Sequence, residues 1–406
     1  MLMLTILCVA TYLKGEAFIR ECHRLGATVV LLTDETLVHA EWPMEAIAEV
    51  HAYPRTASEA DVRRVVASLA RRHRIDRVAA LDDFDVETGA MLREFLQVPG
   101  FGRTIAARFR DKLMMRTEAS RAGLRVPPFT RVVNDDEVNR WAEIVEPPWV
   151  LKPRGMAAAT GIQVVATRGQ LWPALESTGD ERPMFLLEQF VAGDVYHVDA
   201  IVRAGRVVFS AVSKYGRPPI QIAHDGGVFV TRTLPPASAE AAPFTEANNT
   251  LLTAFDLRNG VSHSEYISSS AVALAQAEGK GGVTFLETSA RVGGAYISDV
   301  VEAATGANLW VEWARLELAG DTGDYEPPPM RTDTAGIALC LARQESPDLS
   351  AYNDSEIALR VNRPHHAGLI VRSSDPRRVE TLLDDYVRRF SHDFLAMLPA
   401  PSRPTA

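Results

Sequence analysis

The sequence predicts a multidomain protein of mixed α/β and α+β class, and three observations carry that expectation. At 406 residues the chain is too long for one ordinary hydrophobic core. Its first hundred residues alternate apolar strand runs with helical spacing, the mark of a doubly wound β-α-β unit. Its middle and end instead show short strands joined by turn residues, with helices between them. The composition, 47% hydrophobic and 23% charged, is that of a globular chain in water. A formal net charge of −9 argues against a dedicated nucleic-acid or anionic-membrane binder, though not against a local phosphate site. Cys8, Cys22 and Cys340 lack metal-type spacing and read as reduced thiols, so a cytoplasmic location is expected. No apolar run reaches membrane-spanning length. The opening MLMLTILCVA has no basic leader and reads as a buried first strand rather than a signal peptide.

Residues 3–10 supply that strand. Phe18, Ile19, Cys22 and Leu25 then recur at helical spacing, with Gly26 placed to end the helix, and 27–32 is a β-branched second strand. No G-x-G-x-x-G follows the first strand, so a dinucleotide site is not expected. Ser58, with Asp61 three residues on, caps a helix striped by Val62, Val65, Val66 and Leu69. A strand at 77–81 ends on Asp82 and Asp83, carboxylates that serve as loop caps more often than as functional groups. This first unit covers 1–102. A second, 103–326, divides into 103–190 and 191–326. Within it Asp111 caps a helix over 112–122 closed by Gly123, and strands are expected at 149–152, 162–166 and 185–189, then a hairpin at 196–202 and 206–212. Residues 218–236, rich in Pro and Gly, read as a long irregular connection of the kind that covers a site. Helices follow near 240–256, 297–305 and 309–318, with an extended hairpin over 268–282. Pro327–Pro329 marks a third unit, 327–406, a small α+β cap with strands at 337–341 and 367–371, a helix over 377–390 and a frayed end at 399–406.

The chemistry gathers in V-T-F-L-E-T-S-A-R-V-G-G at 283–294. Glu287, Ser289 and Arg291 stand at i, i+2 and i+4, so an extended chain turns all three to one face. A carboxylate, a hydroxyl and a guanidinium on one face suit a metal held beside a charged phosphate or carboxylate. His263 and Glu265 repeat the spacing upstream, and pairing of the two strands would bring Glu265 and Glu287 to one cation. Lys152 ends an apolar strand before a loop of small residues bounded by Gly155 and Gly161. Such a loop lets backbone N–H groups reach phosphate oxygens, but a plain hairpin with an exposed lysine is as common. Lys112 alone would read as a helix-surface lysine. Glu188, Phe190 and Val191 offer an acceptor and apolar walls for an adenine, with Asp194 near for ribose hydroxyls. The plainer reading of Glu188 is a solvated strand end.

Taken in order, these motifs resemble the ATP-grasp superfamily over roughly 103–320. D-K-x-x-x-R at 111–116 is similar to the segment of the first ATP lysine, here Lys112. V-L-K-P-R-G and its small-residue loop resemble the second lysine, Lys152, and the phosphate loop. L-E-Q-F-V-A-G-D resembles the adenine hinge, with Glu188 as acceptor. H-S-E-Y and F-L-E-T-S-A-R-V-G-G resemble the metal strands. The resemblance implies an ATP-grasp fold with a Rossmann-like pre-ATP-grasp domain at 1–102. It is nearest the carboxylate–amine ligase branch, as in L-amino acid ligases. Serine stands at 289 where the family usually has asparagine, and Val195 where many members carry a ribose-binding glutamate, so Asp194 is expected to substitute.

The resemblance further implies ATP and magnesium, or manganese in its place, held by Glu265, Glu287 and Ser289. Lys112 and Lys152 would meet phosphate oxygens. Arg291, with the backbone of Gly293 and Gly294, would hold the transferred group or the substrate carboxylate, and the 154–161 loop would exclude water. His263 would either assist the amine or orient Glu265. Tyr215, Arg217, His224 and Arg232 are candidate substrate contacts by position, or else solvated loop residues. The expected partners are a small-molecule carboxylate and an amine, with a homodimer as the family-level expectation and no nucleic acid or membrane. Two alternatives stand beside the ligase: a member using another acceptor such as bicarbonate, and a degenerate nucleotide-binding regulator.

Overall fold

The apolar run at the start of the chain becomes β1 (Thr5–Ala10), buried along its whole length. It lies inside a parallel sheet ordered β3-β2-β1-β4, with β2 (Thr28–Asp34), β3 (Glu49–Tyr53) and β4 (Arg77–Ala80). A computed structural model describes residues 4–396 except 158, 237, 269–281 and 321–322, with only the backbone described at 223 and 224. The helix Glu16–Arg24 ends as its sequence predicts, with Gly26 at φ 86°. The Ser58–Asp61 capping box forms at the head of Glu59–Ala70. Strand β3 gives no sequence signal because E-V-H-A-Y is only half-buried, at the sheet edge.

A second sheet is antiparallel and ordered β5-β8-β6-β7, from β5 (Phe129–Arg131), β6 (Trp149–Pro153), β7 (Gln163–Val165) and β8 (Phe185–Gln189). It forms a lid. Below it, β9 (Asp194–Arg203), β10 (Arg206–Tyr215), β11 (Phe229–Thr233), β12 (Gly260–Ser268), β13 (Val283–Ser289), β14 (Thr334–Leu341), β15 (Ile357–Arg360) and β16 (His366–Ser373) make one antiparallel sheet. Its order is β13-β12-β9-β10-β11-β14-β16-β15.

Two expectations change here. Residues 218–236 are not irregular throughout: they hold the helix Pro219–Asp225 and β11, which sits mid-sheet. The buried face of β11 is Thr231 and Thr233, so its inward residues are polar and the usual apolar alternation is missing. The segment after Pro329 is not a separate layer, because β14 pairs with β11 and extends the central sheet. The helix Pro376–Asp393 covers it with Val379, Leu382, Leu383, Tyr386 and Phe390. The expected hairpin over 268–282 and the frayed end at 399–406 lie outside the described residues, save for Ser268 at the end of β12 and Gly282 beside β13.

The N-terminal unit is fixed to the central sheet through helices. Phe18 on Glu16–Arg24 meets Trp313 on Leu309–Ala319 with ring centroids 4.8 Å apart. Each such buried ring contributes roughly 1.5–3 kcal/mol of transfer free energy. A second aromatic core joins Phe109, Phe255, Phe285, Tyr266 and Phe244 beneath β12 and β13. It supports the helices Arg103–Arg110 and Lys112–Arg121, which run under the lid.

Candidate active site

A cavity of about 820 Å³ opens where the lid, the central sheet and the loops after β1 and β4 meet. Its chemistry starts with strand pairing. In β12 and β13, His263 lies opposite Ser289 and Glu265 opposite Glu287. Facing carboxylates at cross-strand distance repel, and each is compensated. Lys112 Nζ sits 2.8 Å from Glu287 Oε2, while the Tyr215 hydroxyl donates to Glu265 Oε1 at 2.8 Å. Burial works to raise Glu287, but Lys112 and then Lys152 outweigh it and hold it below its ordinary value.

Lys112 begins its helix because Asp111 accepts the N–H of Leu113 at 2.9 Å. The helix then latches the loop after β6. The backbone N–H of Lys112 donates to the Arg154 carbonyl at 2.9 Å and its Nζ to that of Met156 at 2.6 Å. Arg110 donates to the Gly155 carbonyl at 2.6 Å, and Arg154 pairs with Asp111. Lys152, at the end of β6, is 6% exposed, and its Nζ lies 2.5 Å from Glu188 Oε1. Arg116, fully buried, takes the other oxygen of Glu188 at 2.9 Å. Burial lowers Lys152 to about 8 against the pull of Glu188. Burial tends to raise Glu188, yet Arg116 and Lys152 hold it below its ordinary value.

A third set ties the N-terminal unit to the site. Asp83, buried beyond β4, accepts from the Ser289 hydroxyl at 2.7 Å, with Arg110 at 3.0 Å and Arg291 at 3.6 Å. Despite burial, Arg110 and Arg291 hold its carboxyl well below the usual range. Behind β12 a chain runs from Thr231 to His197 at 2.7 Å, His197 to Asp199 at 2.7 Å and Asp199 to His263 at 2.9 Å. Burial opposes the charge on His263, but Asp199 raises it to about 9. The ring and carboxylate atoms of His197, Asp199 and His263 lie within 4.8 Å of one another. Each is already bonded to the next, which describes a hydrogen-bonded relay rather than a ligand set. Glu265 and Glu287 fit a hard divalent cation better, as facing oxygen donors beside two lysines on a cavity wall.

A family model described as the ATP-grasp N-terminal domain matches residues 19–100. The crystal structure of L-amino acid ligase from Bacillus licheniformis superposes with a TM-score of 0.75 over 97% of this chain and 98% of that one, at 18% identity. The chain has the fold of the ATP-grasp ligases, and its first unit matches the ATP-grasp N-terminal domain. An L-arginine-specific L-amino acid ligase of Bacillus subtilis is 22% identical over 253 residues, 61% of this chain; the match spans 58% of that ligase's length. The biotin carboxylase domain dimer of Hydrogenobacter thermophilus 2-oxoglutarate carboxylase, in complex with MgADP and bicarbonate, aligns at a TM-score of 0.68 and 16% identity, over 97% of this chain and 91% of its own.

Against this ATP-grasp frame the expected residues separate. Lys112, Lys152, Glu188, Phe190, Val191, Tyr215, His263, Glu265, Glu287, Arg291 and Gly294 all line the cavity. Glu188 is not a solvated strand end: it is 3% exposed, and its carboxylate is engaged by two cations rather than open to a base. Ser289 gives its hydroxyl to Asp83, so its geometry is that of a domain tie. Asp194 lies off the described cavity wall, exposed and paired with Lys214 at 2.8 Å. Gly155 and Gly161 shape the loop while Met156, Ala157, Ala159 and Thr160 form its face. Gly161 holds φ 74°, and a Cβ there would sit 2.9 Å from Pro153 Cγ. A Cβ on Gly293 would stand 3.0 Å from both Asp199 Oδ1 and His263 Nδ1. The His224 side chain lies outside the described residues. Arg217 pairs with Asp225 at 3.2 Å, and Arg232 turns to Glu380 on the C-terminal helix at 2.6 Å, off the described cavity wall. Sequence reasoning missed Arg110, Arg116 and Asp199 and undervalued Asp83. The H-x-D alternation at 197–199 was the one available signal for the relay.

Proposed function

We propose that the chain is an ATP-dependent carboxylate–amine ligase that forms an amide or peptide bond and releases ADP and phosphate. The observation that carries the reading is the directly paired Glu265 and Glu287 in one cavity with Lys112, Lys152 and Arg291. That set suits the in-line transfer of a phosphoryl group to a carboxylate, where catalysis is positioning and charge stabilisation.

A substrate carboxylate oxygen attacks the γ-phosphorus, the β–γ bridging bond breaks, and ADP leaves. The amine nitrogen then attacks the acyl carbon, phosphate leaves, and the nitrogen loses a proton. Lys112 and Lys152 neutralise phosphate oxygens, and Glu188 keeps Lys152 aimed and charged. Arg291 holds the carboxylate or the phosphoryl oxygens. The loop at 154–161 excludes water, which would otherwise hydrolyse the acyl-phosphate. Glu265 and Glu287 are the residues that would hold magnesium; bound there, the ion supplies charge neutralisation at phosphate oxygens. Magnesium is the ion proposed, as a neighbour's MgADP complex supports, and manganese is its alternative. A homodimer and a cytoplasmic location remain our expectations. No helix among the described residues is long and apolar enough to cross a membrane.

The test is ADP and phosphate release with ATP and magnesium across amino acids, singly and in pairs, with mass analysis of the products. Release that requires a pair, with a product of summed mass less water, is the expected result. Release driven by bicarbonate would favour the other-acceptor reading. Tight ATP binding without release from any mixture would favour a regulator.

A further inference from the structure

Outside the lid, the cavity wall is built by rings from two domains. Tyr12 and Phe84 come from the loops after β1 and β4, with centroids 5.5 Å apart. Tyr215 and Phe229 come from β10 and β11, edge to face at 5.8 Å. Ile220 and Ile297 belong to the same wall.

The charges in this part are already matched. Lys14 Nζ lies 2.6 Å from Asp82, which also caps the turn at Phe84. Asp83 is taken by Arg110 and Ser289, with Arg291 at 3.6 Å. Asp225 faces Arg217, and Glu265 accepts from Tyr215 and lies 3.7 Å from the His263 ring. Arg55, beside the Tyr12 ring, pairs with Asp34 at 3.0 Å. Arg291 differs. Its Nη1 donates to the Val292 carbonyl at 2.8 Å, but its buried Nε has no partner.

We infer that the acid activated here carries an uncharged aromatic or branched aliphatic side chain, its carboxylate held at Arg291 and its side chain among these rings. This rests on the ligase reading above. A cationic side chain would need an open carboxylate in this wall, and each one named is engaged. Burying it unpaired costs several kcal/mol, whereas rings and branched aliphatics gain from the same burial. Arginine, which the Bacillus subtilis relative is named for, is therefore a poor acid for this chain.

Hydroxylamine tests the acid alone. It displaces phosphate from any acyl-phosphate, leaving a hydroxamate that ferric ion colours. The purified chain, with ATP, magnesium and hydroxylamine, is offered phenylalanine, leucine, isoleucine, arginine, lysine, aspartate and glutamate in turn. The expected result is hydroxamate from the apolar acids, with kcat/KM on the order of 100-fold above the charged ones. Comparable hydroxamate from arginine or glutamate overturns the inference and leaves the ligase standing. No hydroxamate from any acid overturns both. Ile220→Asp puts a carboxylate on a half-buried helix position of the wall. It should move the phenylalanine-to-arginine ratio at least about 10-fold toward arginine with ATP binding unchanged. An unmoved ratio, with ATP binding retained, counts against the assignment.

Discussion

Lys152 should give nucleotide binding a pH dependence that can be calculated in advance. Its ammonium is buried beneath the lid at 2.5 Å from Glu188, and burial lowers its pKa to about 8. In an unfolded chain the same group titrates near 10.4. The sign for stability follows. Below about pH 8 both states are protonated and the cost of burying the cation is felt in full. Between about 8 and 10.4 the unfolded chain holds the extra proton, so this residue's contribution to stability rises with pH. Binding runs the other way, because phosphate needs the ammonium. The charged fraction falls from about nine-tenths at pH 7 to about one-tenth at pH 9, so the dissociation constant for ATP should rise about 10-fold. Lys152→Met removes the titration together with a charge-assisted hydrogen bond worth about 1.5–3 kcal/mol. That variant should bind on the order of 10- to 100-fold more weakly at pH 7, with a flat profile to pH 9. Calorimetric titration of ATP at constant ionic strength reads both. A flat profile in the parent chain, or one that survives in Lys152→Met, refutes the reasoning.

Three further outcomes are expected. Glu287→Gln should reduce turnover to background with an unchanged circular dichroism spectrum, since its side chain is a third exposed and glutamine keeps its shape; near-normal turnover would remove it from the metal assignment. Asp83→Asn leaves Arg110 buried without its carboxylate and should lose about 3 kcal/mol, read as a lower urea midpoint at an unchanged slope. Gly293→Ala drives a methyl to 3.0 Å from Asp199 and His263; turnover should fall at least about 10-fold while ATP affinity holds, and an unaffected turnover would show that His263 need not stay in place.

What could be read from the chain was local. The Ser58–Asp61 box, the Asp111 cap and the strands at 149–152 and 185–189 each announce themselves within a few residues, and the order of motifs around Lys112, Lys152 and Glu287 resembled the superfamily's. What escaped depended on distance. Asp83 and Ser289 are 206 positions apart, so nothing beside either one predicts their bond. Arg116, on the helix K-L-M-M-R-T-E-A-S-R, looks like a solvent-facing cation, and only the lid's Glu188 makes it a core residue. Strand β11 hid because its buried face is threonine. The tail read as a cap because its first strand finds its partner, β11, a hundred residues back.

The contact between Lys112 and Glu287 has a thermodynamic consequence. The group suited to phosphate and the group suited to a cation satisfy each other at 2.8 Å, and the same Nζ also clasps the loop at Met156. Either ligand arriving alone must break that pair and leave one charge stranded. Arriving together, each takes the group the other has released, and the loop loses its clasp in the same event. On the ligase reading, nucleotide and metal would thereby be linked, each raising the other's affinity by the same factor. On the same reading, a salt bridge that looks structural would make the site reluctant to bind either partner by halves.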